Sequence, residues 1–345
     1  MGLRSWAPGR VNLIGDHTDY MGGLVLPLAI GLGTEISGDR GGNWVMLGSE
    51  RFDGVAEIPL VGGDDPAKVE PPWARYVAAV VAELRPDNGL VGMVHSELPP
   101  GSGLASSAAL EVALAAALGA DLGDPSGVAQ ACQRAEQRAV GVPCGIMDQL
   151  VAVAAEADQV LRIDCRSLTV EKLPFPADAE IVVVDSGEPR ELSGSAYSQR
   201  RKECEAAEEI VGPLRDASPS AVEAIDDPLL LRRARHVTTE DDRVDAVGAA
   251  LADGELRYAG ELLVASHASL RDDFDVTTPA LDELVVALRS VPGVYGARVT
   301  GAGFGGCVVA LCQPKTRLKM PVLWRGRPAR GAWAREGPLA AQRDR

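Results

Sequence analysis

No stretch of this sequence restricts its fold more than Leu98-Pro-Pro-Gly-Ser-Gly-Leu-Ala-Ser-Ser-Ala-Ala109, a glycine turn set between an apolar run and an Ala-rich run. Val91–His95 reads as a strand before the turn, and Leu104–Leu118 as a helix after it. A helix that starts this way has free N–H groups in its first turn. Gly101 and Gly103 carry no Cβ, so the backbone can take positive φ and approach a phosphate closely. The freed N–H groups of Gly101, Ser102, Gly103, Leu104, Ala105, Ser106 and Ser107, with the positive end of the helix, then suit an anion. Ser106 and Ser107 either cap the helix or ligate Mg2+. A plain helix cap after a loop is the competing reading. No Gly-Lys-Ser/Thr triplet occurs, so the usual P-loop is excluded.

Three further clusters carry chemistry. Ala7-Pro-Gly-Arg-Val-Asn-Leu-Ile-Gly-Asp-His-Thr-Asp-Tyr-Met-Gly-Gly23 crowds Arg10, Asn12, Asp16, His17 and Asp19 between glycines, and reads as a tight loop. Short carboxylates at fixed angles suit sugar hydroxyls; metal ligation by Asp16, His17 and Asp19, or a solvated acidic turn, fits the same residues. Cys144-Gly-Ile-Met-Asp-Gln149 places one carboxylate, Asp148, in apolar surroundings, where an unpaired charge is costly. Arg10 is a suitable partner for it, in a functional or a merely structural ion pair. In Val299-Thr-Gly-Ala-Gly-Phe-Gly-Gly-Cys307, residues Gly301, Gly303 and Gly306 match G-x-G-x-x-G. That fingerprint needs a helix next, whereas Val308-Val-Ala-Leu-Cys312 reads as a strand, so a dinucleotide site is rejected.

The rest of the 345-residue chain is consistent with two packed domains of α+β type, with strands grouped early and late. Strands are expected at Val25–Ile30, Trp44–Leu47, Val160–Asp164, Glu180–Asp185, Val294–Thr300 and Cys307–Leu311. Helices are expected at Trp73–Leu84 and Ser126–Val140, and through most of residues 197–290. A net charge of −15 and 4% aromatic residues argue against nucleic-acid binding, and an acidic chain that handles ATP needs Mg2+. The six cysteines form no C-x-x-C pair and read as reduced thiols of a cytoplasmic protein, with no zinc site expected. The opening residues MGLRSWAPGR lack an apolar h-region, and no apolar run is long enough for a bilayer, so no membrane association is expected.

In this order, the four motifs resemble those of the galactokinases within the GHMP kinase superfamily. Trp73-Ala-Arg-Tyr76, IDCRSL, Tyr197-Ser-Gln-Arg-Arg-Lys-Glu-Cys204, Arg235-His-Val237 and SHASLRDDFDVTTPALDEL are similar too, over roughly residues 5–313. The resemblance implies a two-domain GHMP kinase-like fold with the active site in the interdomain cleft, and domains over residues 5–170 and 171–313. It implies ATP and Mg2+ as partners, galactose as the sugar phosphorylated at its C1 hydroxyl, and a monomer. By the same resemblance Asp148 takes the hydroxyl proton or stabilises the alkoxide, and Arg10 neighbours it. Asp16, His17, Asp19, Tyr197 and the Gly145 backbone read the other hydroxyls; Ser107 and Glu136 bind the metal; Trp73, with Tyr76, lies near adenine. Asp16 stands where the family has Glu, Met21 where it has Asn, Ala105 where it has Ser, and Arg190 where some relatives have His. A sister kinase for an amino sugar, arabinose or a uronate, or a non-catalytic sugar and ATP sensor, is compatible with the same motifs.

Residues 314–345 hold seven Arg and two Lys against one Glu and one Asp, a net +7. This basic tail is expected to be mobile or poorly packed, and the last strand of the C-terminal domain to be missing with a sheet edge left open.

Overall fold

The computed structural model describes residues 2–63, 65–99, 101–141, 144–188 and 194–337; Pro100, Val142, Pro143 and Arg190 lie outside them. A six-stranded sheet runs in the order Trp333–Glu336, Leu3–Asn12, Pro27–Arg40, Leu90–Ser96, Trp44–Ser49, Ala56–Pro59. Its strands are antiparallel neighbours except Trp44–Ser49 and Leu90–Ser96, which pair in parallel. Helices Ala74–Leu84, Ser106–Ala117 and Pro125–Val140 cover its inner face through Val77, Val81, Val112 and Val128. A second sheet orders Val294–Thr300, Cys307–Cys312, Glu180–Asp185 and Val322–Gly326. The long helices Pro228–Ala252 and Leu256–Asp272 and the helix Pro279–Arg289 pack on it. A small sheet of Leu24–Val25, Gln159–Asp164 and Thr169–Pro174 stands beside the helix Met147–Ala154. Alternate residues of the second sheet's inner strands pack into two cores, Ile181 and Val183 with Val247 and Leu263, Val182 and Val184 with Val237 and Leu281; helices and sheets together make the α+β arrangement the sequence indicates.

Two expectations are corrected here. The cluster Ala7–Gly23, expected to be a tight loop, is one only in part: Asp16 and His17 lie on a turn and Asp19 opens a short 3-10 helix, whereas Arg10 and Asn12 belong to the strand Leu3–Asn12. Its pairing with Pro27–Arg40 shifts register between Pro8 and Arg10, a bulge that Pro8 and Gly9 disguise as loop chemistry. Residues 338–345 of the basic tail lie outside the described residues; the part up to Gly337 was expected to be mobile and the last strand missing. Instead Val322–Gly326 closes the edge beside Glu180–Asp185, and Trp333–Glu336 closes the edge beside Leu3–Asn12. Arginines of this segment pack on aromatic rings: Arg327 lies over Phe175, and Arg330 and Arg335 flank Trp333. Among the described residues no helix is long and apolar enough to cross a membrane.

Candidate active site

The bulge at Gly9 brings two of the motifs together. A Cβ there would stand 2.5 Å from the Leu104 carbonyl oxygen, so only glycine lets the strand and the glycine turn approach. The Arg10 amide then donates to the Leu104 carbonyl at 3.1 Å. The Arg10 side chain reaches across the turn. Its Nε and Nη2 donate to the two Asp148 oxygens, each at 2.7 Å, and its Nη1 donates to the Gly103 carbonyl at 2.5 Å. This is the forked, bidentate geometry for which guanidinium is suited. Asp148 sits in the first turn of Met147–Ala154, where the helix dipole favours a carboxylate. Arg10 is buried, whereas the Asp148 side chain keeps 27% exposure.

Gly101 and Gly103 take φ of 72° and 76°, and Ala105 follows with φ 60° as the residue preceding Ser106–Ala117. No side chain caps this helix among the described residues, so its first N–H groups face the turn. Ser102 Oγ folds back to the Pro99 carbonyl, and the Cys307 thiol contacts the Ser102 carbonyl, joining the turn to the second glycine cluster. That cluster runs straight into the strand Cys307–Cys312, in agreement with the rejection of a dinucleotide fingerprint.

Behind the turn lies a buried acidic group. Ser107 Oγ donates to Glu136 Oε1 at 2.6 Å, and Gln149 Nε2 donates to Glu136 Oε2 at 2.6 Å and to Glu111 Oε2 at 3.2 Å. Burial pushes both carboxyls up, Glu111 strongly so with Glu136 beside it. Motif spacing does not mark Glu111 or Gln149 as site residues; the one signal in the sequence is a lone Glu inside the apolar helix Leu110-Glu-Val-Ala-Leu114.

The sugar-reading candidates divide into two groups. Asp19, Gly145 and Tyr197 gather near Asp148. A Cβ on Gly145 would lie 1.9 Å from Asp19 Oδ2, so this backbone and that carboxylate are in direct apposition. Burial, then Asp148 and Asp16, pushes the Asp19 carboxyl up to about 6. Burial together with Asp19 and Asp148 also raises the Tyr197 hydroxyl well above its usual range. Asp19, Tyr20, Cys144, Gly145 and Arg201 line a cavity of about 510 Å3. Asp16 and His17 are turned inward. Asp16 accepts from the Gly301 amide at 3.0 Å and faces Arg298 Nη1 at 2.6 Å. His17, at φ 68°, places Nδ1 at 3.0 Å from the Tyr20 hydroxyl and Nε2 at 3.1 Å from the Ala302 carbonyl. Trp73 is buried under the helix it precedes, its Nε1 donating to the Asp53 carbonyl at 3.2 Å.

Arg298, which the motifs did not single out, organises the inward half. It is fully buried, between Asp16 and Glu240 Oε1 at 3.7 Å, and donates to the Leu13 carbonyl. Glu240 in turn accepts from the Gly15 amide, Ser266 Oγ and Arg243 Nε. His236 holds the Asp16 carbonyl, and burial lowers its imidazole to about 4. The signature turn is therefore pinned to the long helix Pro228–Ala252.

Comparison with known proteins agrees with this geometry. The model of the galactokinase galactose-binding signature matches residues 5–40, and those of the GHMP kinase N-terminal and C-terminal domains match residues 75–156 and 249–319. The chain is 42% identical to the galactokinase of Bos taurus and 41% identical to that of Homo sapiens, in each case over 89% of this chain and 83% of the relative. The crystal structure of Lactococcus lactis galactokinase complexed with galactose superposes with TM-score 0.85 at 34% identity, covering 97% of this chain and 95% of that one. Methanococcus jannaschii mevalonate kinase, at 19% identity and TM-score 0.70, shares the fold.

Proposed function

The chain belongs to the galactokinase family of the GHMP kinases, and on that premise we propose that Asp148, oriented by Arg10, is the carboxylate that faces the reacting hydroxyl. The reaction is transfer of the γ-phosphoryl group of ATP to the C1 hydroxyl of galactose, giving galactose 1-phosphate and ADP. The observation that carries the residue assignment is the bidentate Arg10–Asp148 pair beside the Gly103 carbonyl, which links the glycine turn to a half-exposed carboxylate.

Phosphoryl transfer asks a protein mainly for positioning and charge neutralisation. The N–H groups of residues 101–107 and the positive helix end hold the triphosphate of ATP. Arg10 occupies one acceptor position on each Asp148 oxygen; a carboxylate has about four, so about two remain, one of which can take the C1 hydroxyl. As the hydroxyl oxygen bonds to phosphorus and the bond to ADP breaks, Asp148 takes the released proton or stabilises the charge it leaves behind. Asp19, Tyr197 and the Gly145 backbone face the sugar's other hydroxyls. Asp16 and His17 form the wall behind them, fixed by their own protein partners.

Ser107 and Glu136 offer the donor types a hard cation takes, a hydroxyl and a carboxylate oxygen beside the glycine turn, which hydrogen-bond each other at 2.6 Å. Bound there, Mg2+ would neutralise charge on the phosphates. Glu136, pushed up by burial, gains a counter-charge in that state. Trp73 supports the adenine side from within the core. Six scattered cysteines with no C-x-x-C pair suit a reducing compartment, which supports a cytosolic setting.

The test is coupled ADP release from Mg-ATP over galactose, 2-deoxygalactose, galactosamine, galacturonate, arabinose and glucose. The expected result is turnover led by galactose, lost when Mg2+ is chelated. Turnover led by another sugar, or by none from a folded sample, would overturn the assignment.

A further inference from the structure

The helix that carries Asp148 is short, and its far end is held by the tail. Met147–Ala154 has eight residues, about 12 Å of helix. Such a helix leaves its last carbonyls without partners of its own. The tail supplies a partner to one of them and to the carbonyl just past the helix. The Ala332 amide donates to the Ala152 carbonyl at 2.8 Å, and the Gly331 amide donates to the Ala155 carbonyl at 2.7 Å. Ala152 lies four residues after Asp148, on the same face of the helix. Gly331 fits so closely that an added Cβ would stand 2.4 Å from the Val153 carbonyl oxygen.

The segment is anchored on both sides of this contact. Before it, the Ala329 amide donates to the Ala29 carbonyl at 2.9 Å, and the Pro328 carbonyl accepts from the Asp158 amide at 2.9 Å. Arg327 bonds Asp158 Oδ1 at 2.6 Å and the Pro176 carbonyl at 2.5 Å. After it, Trp333–Glu336 pairs with Leu3–Trp6, on the strand that also carries Arg10. One strap therefore bears on the helix of Asp148 and on the strand of Arg10.

We propose that Gly331 and Ala332 are positioning residues for phosphoryl transfer, setting the height of the Asp148 helix against Arg10 and the glycine turn. This rests on Asp148 acting at the reacting hydroxyl. Among the described residues the Gly331 and Ala332 amides bond to Ala155 and Ala152 and to none of residues 101–107, so the effect is expected on the acceptor side. A displacement of about 1 Å at a reacting group reduces rate by up to ~100-fold.

Two variants damage the contact differently. Gly331→Ala inserts a methyl group against the Val153 carbonyl, and Ala332→Pro removes the donor to Ala152. Gly337→Ala is the control, because a Cβ there meets nothing within 4 Å. For each folded full-length protein, kcat, the KM values for galactose and ATP, equilibrium ATP binding and amide exchange across residues 147–155 are measured. The expected result is kcat roughly 10- to 100-fold lower in both variants, with ATP binding unchanged, faster exchange in that helix, and a control like the parent. Parental kcat in either folded variant overturns the proposal. So does a loss shared equally by ATP binding, or failure of both variants to fold, since each makes the strap a general structural element. Turnover surviving in Asp148→Ala would instead sink the catalytic assignment and leave the exchange result standing.

Discussion

Replacing Arg298 by Met leaves two carboxylates, Asp16 and Glu240, without the cation that lies between them in a fully buried site. Breaking a buried ion pair by removing one partner costs about 3–5 kcal/mol, because the remaining charge stays desolvated. Glu240 keeps Arg243 and Ser266, so most of the penalty falls on Asp16, whose carboxyl burial already pushes up. At about 2.1 cal/mol/K of unfolding entropy per residue over 345 residues, each kcal/mol moves the melting midpoint by about 1.4 °C; the expected loss is about 4–7 °C. The double variant Asp16→Asn, Arg298→Met removes the stranded charge as well and should recover at least half of it. Thermal and urea unfolding of the four proteins in the cycle give the coupling, expected at about 1–3 kcal/mol. The single variant should also raise KM for galactose, since Asp16 holds the Gly301 amide behind the sugar wall. A midpoint within about 1 °C of the parent, with coupling below about 0.5 kcal/mol, would refute this account of the network.

Two further outcomes follow from the sugar side. Gly145→Ala drives a methyl group into Asp19 Oδ2, so KM for galactose should rise at least tenfold while ATP affinity holds; equal loss of both would show that the change disturbs the glycine turn instead. Asp19 accepts sugar hydroxyls only as a carboxylate, and burial with Asp148 beside it places its titration at about 6, so kcat/KM for galactose should fall as pH drops through that value. Stability moves the other way: the folded state binds this proton more tightly than the unfolded chain, so the contribution of Asp19 is present at low pH and fades between about pH 4 and 6. Asp19→Asn should abolish the inflection in kcat/KM, and its persistence would assign the titration to another group.

The motifs were legible because their chemistry is local. Gly101, Gly103, Asp148 and the glycines after Val299 announce themselves by spacing, and the strand following Cys307 was enough to dismiss a dinucleotide site. What stayed hidden depends on distance along the chain. Arg298 meets Asp16 from 282 positions away, and nothing in its own strand Val294–Thr300 marks it. The strand Leu3–Asn12 was obscured by Pro8 and Gly9, which serve a bulge rather than a turn. Met147–Ala154 is too short for a helical period and has no side-chain cap to signal its start. The tail misled through composition. Its Arg, Gly and Pro content reads as a mobile segment, yet Arg325 and Arg327 pair with Glu180 and Asp158, and the strands Val322–Gly326 and Trp333–Glu336 are too short for their alternation to register.

Asp148→Ala, assayed for galactose-dependent ADP release beside equilibrium binding of Mg-ATP and of galactose, addresses the central assignment most directly. Loss of general-base help alone is ~10²–10⁴-fold in rate. The account expects turnover to fall by at least that much while both ligands still bind. Turnover within tenfold of the parent, from protein that binds both ligands normally, would contradict it.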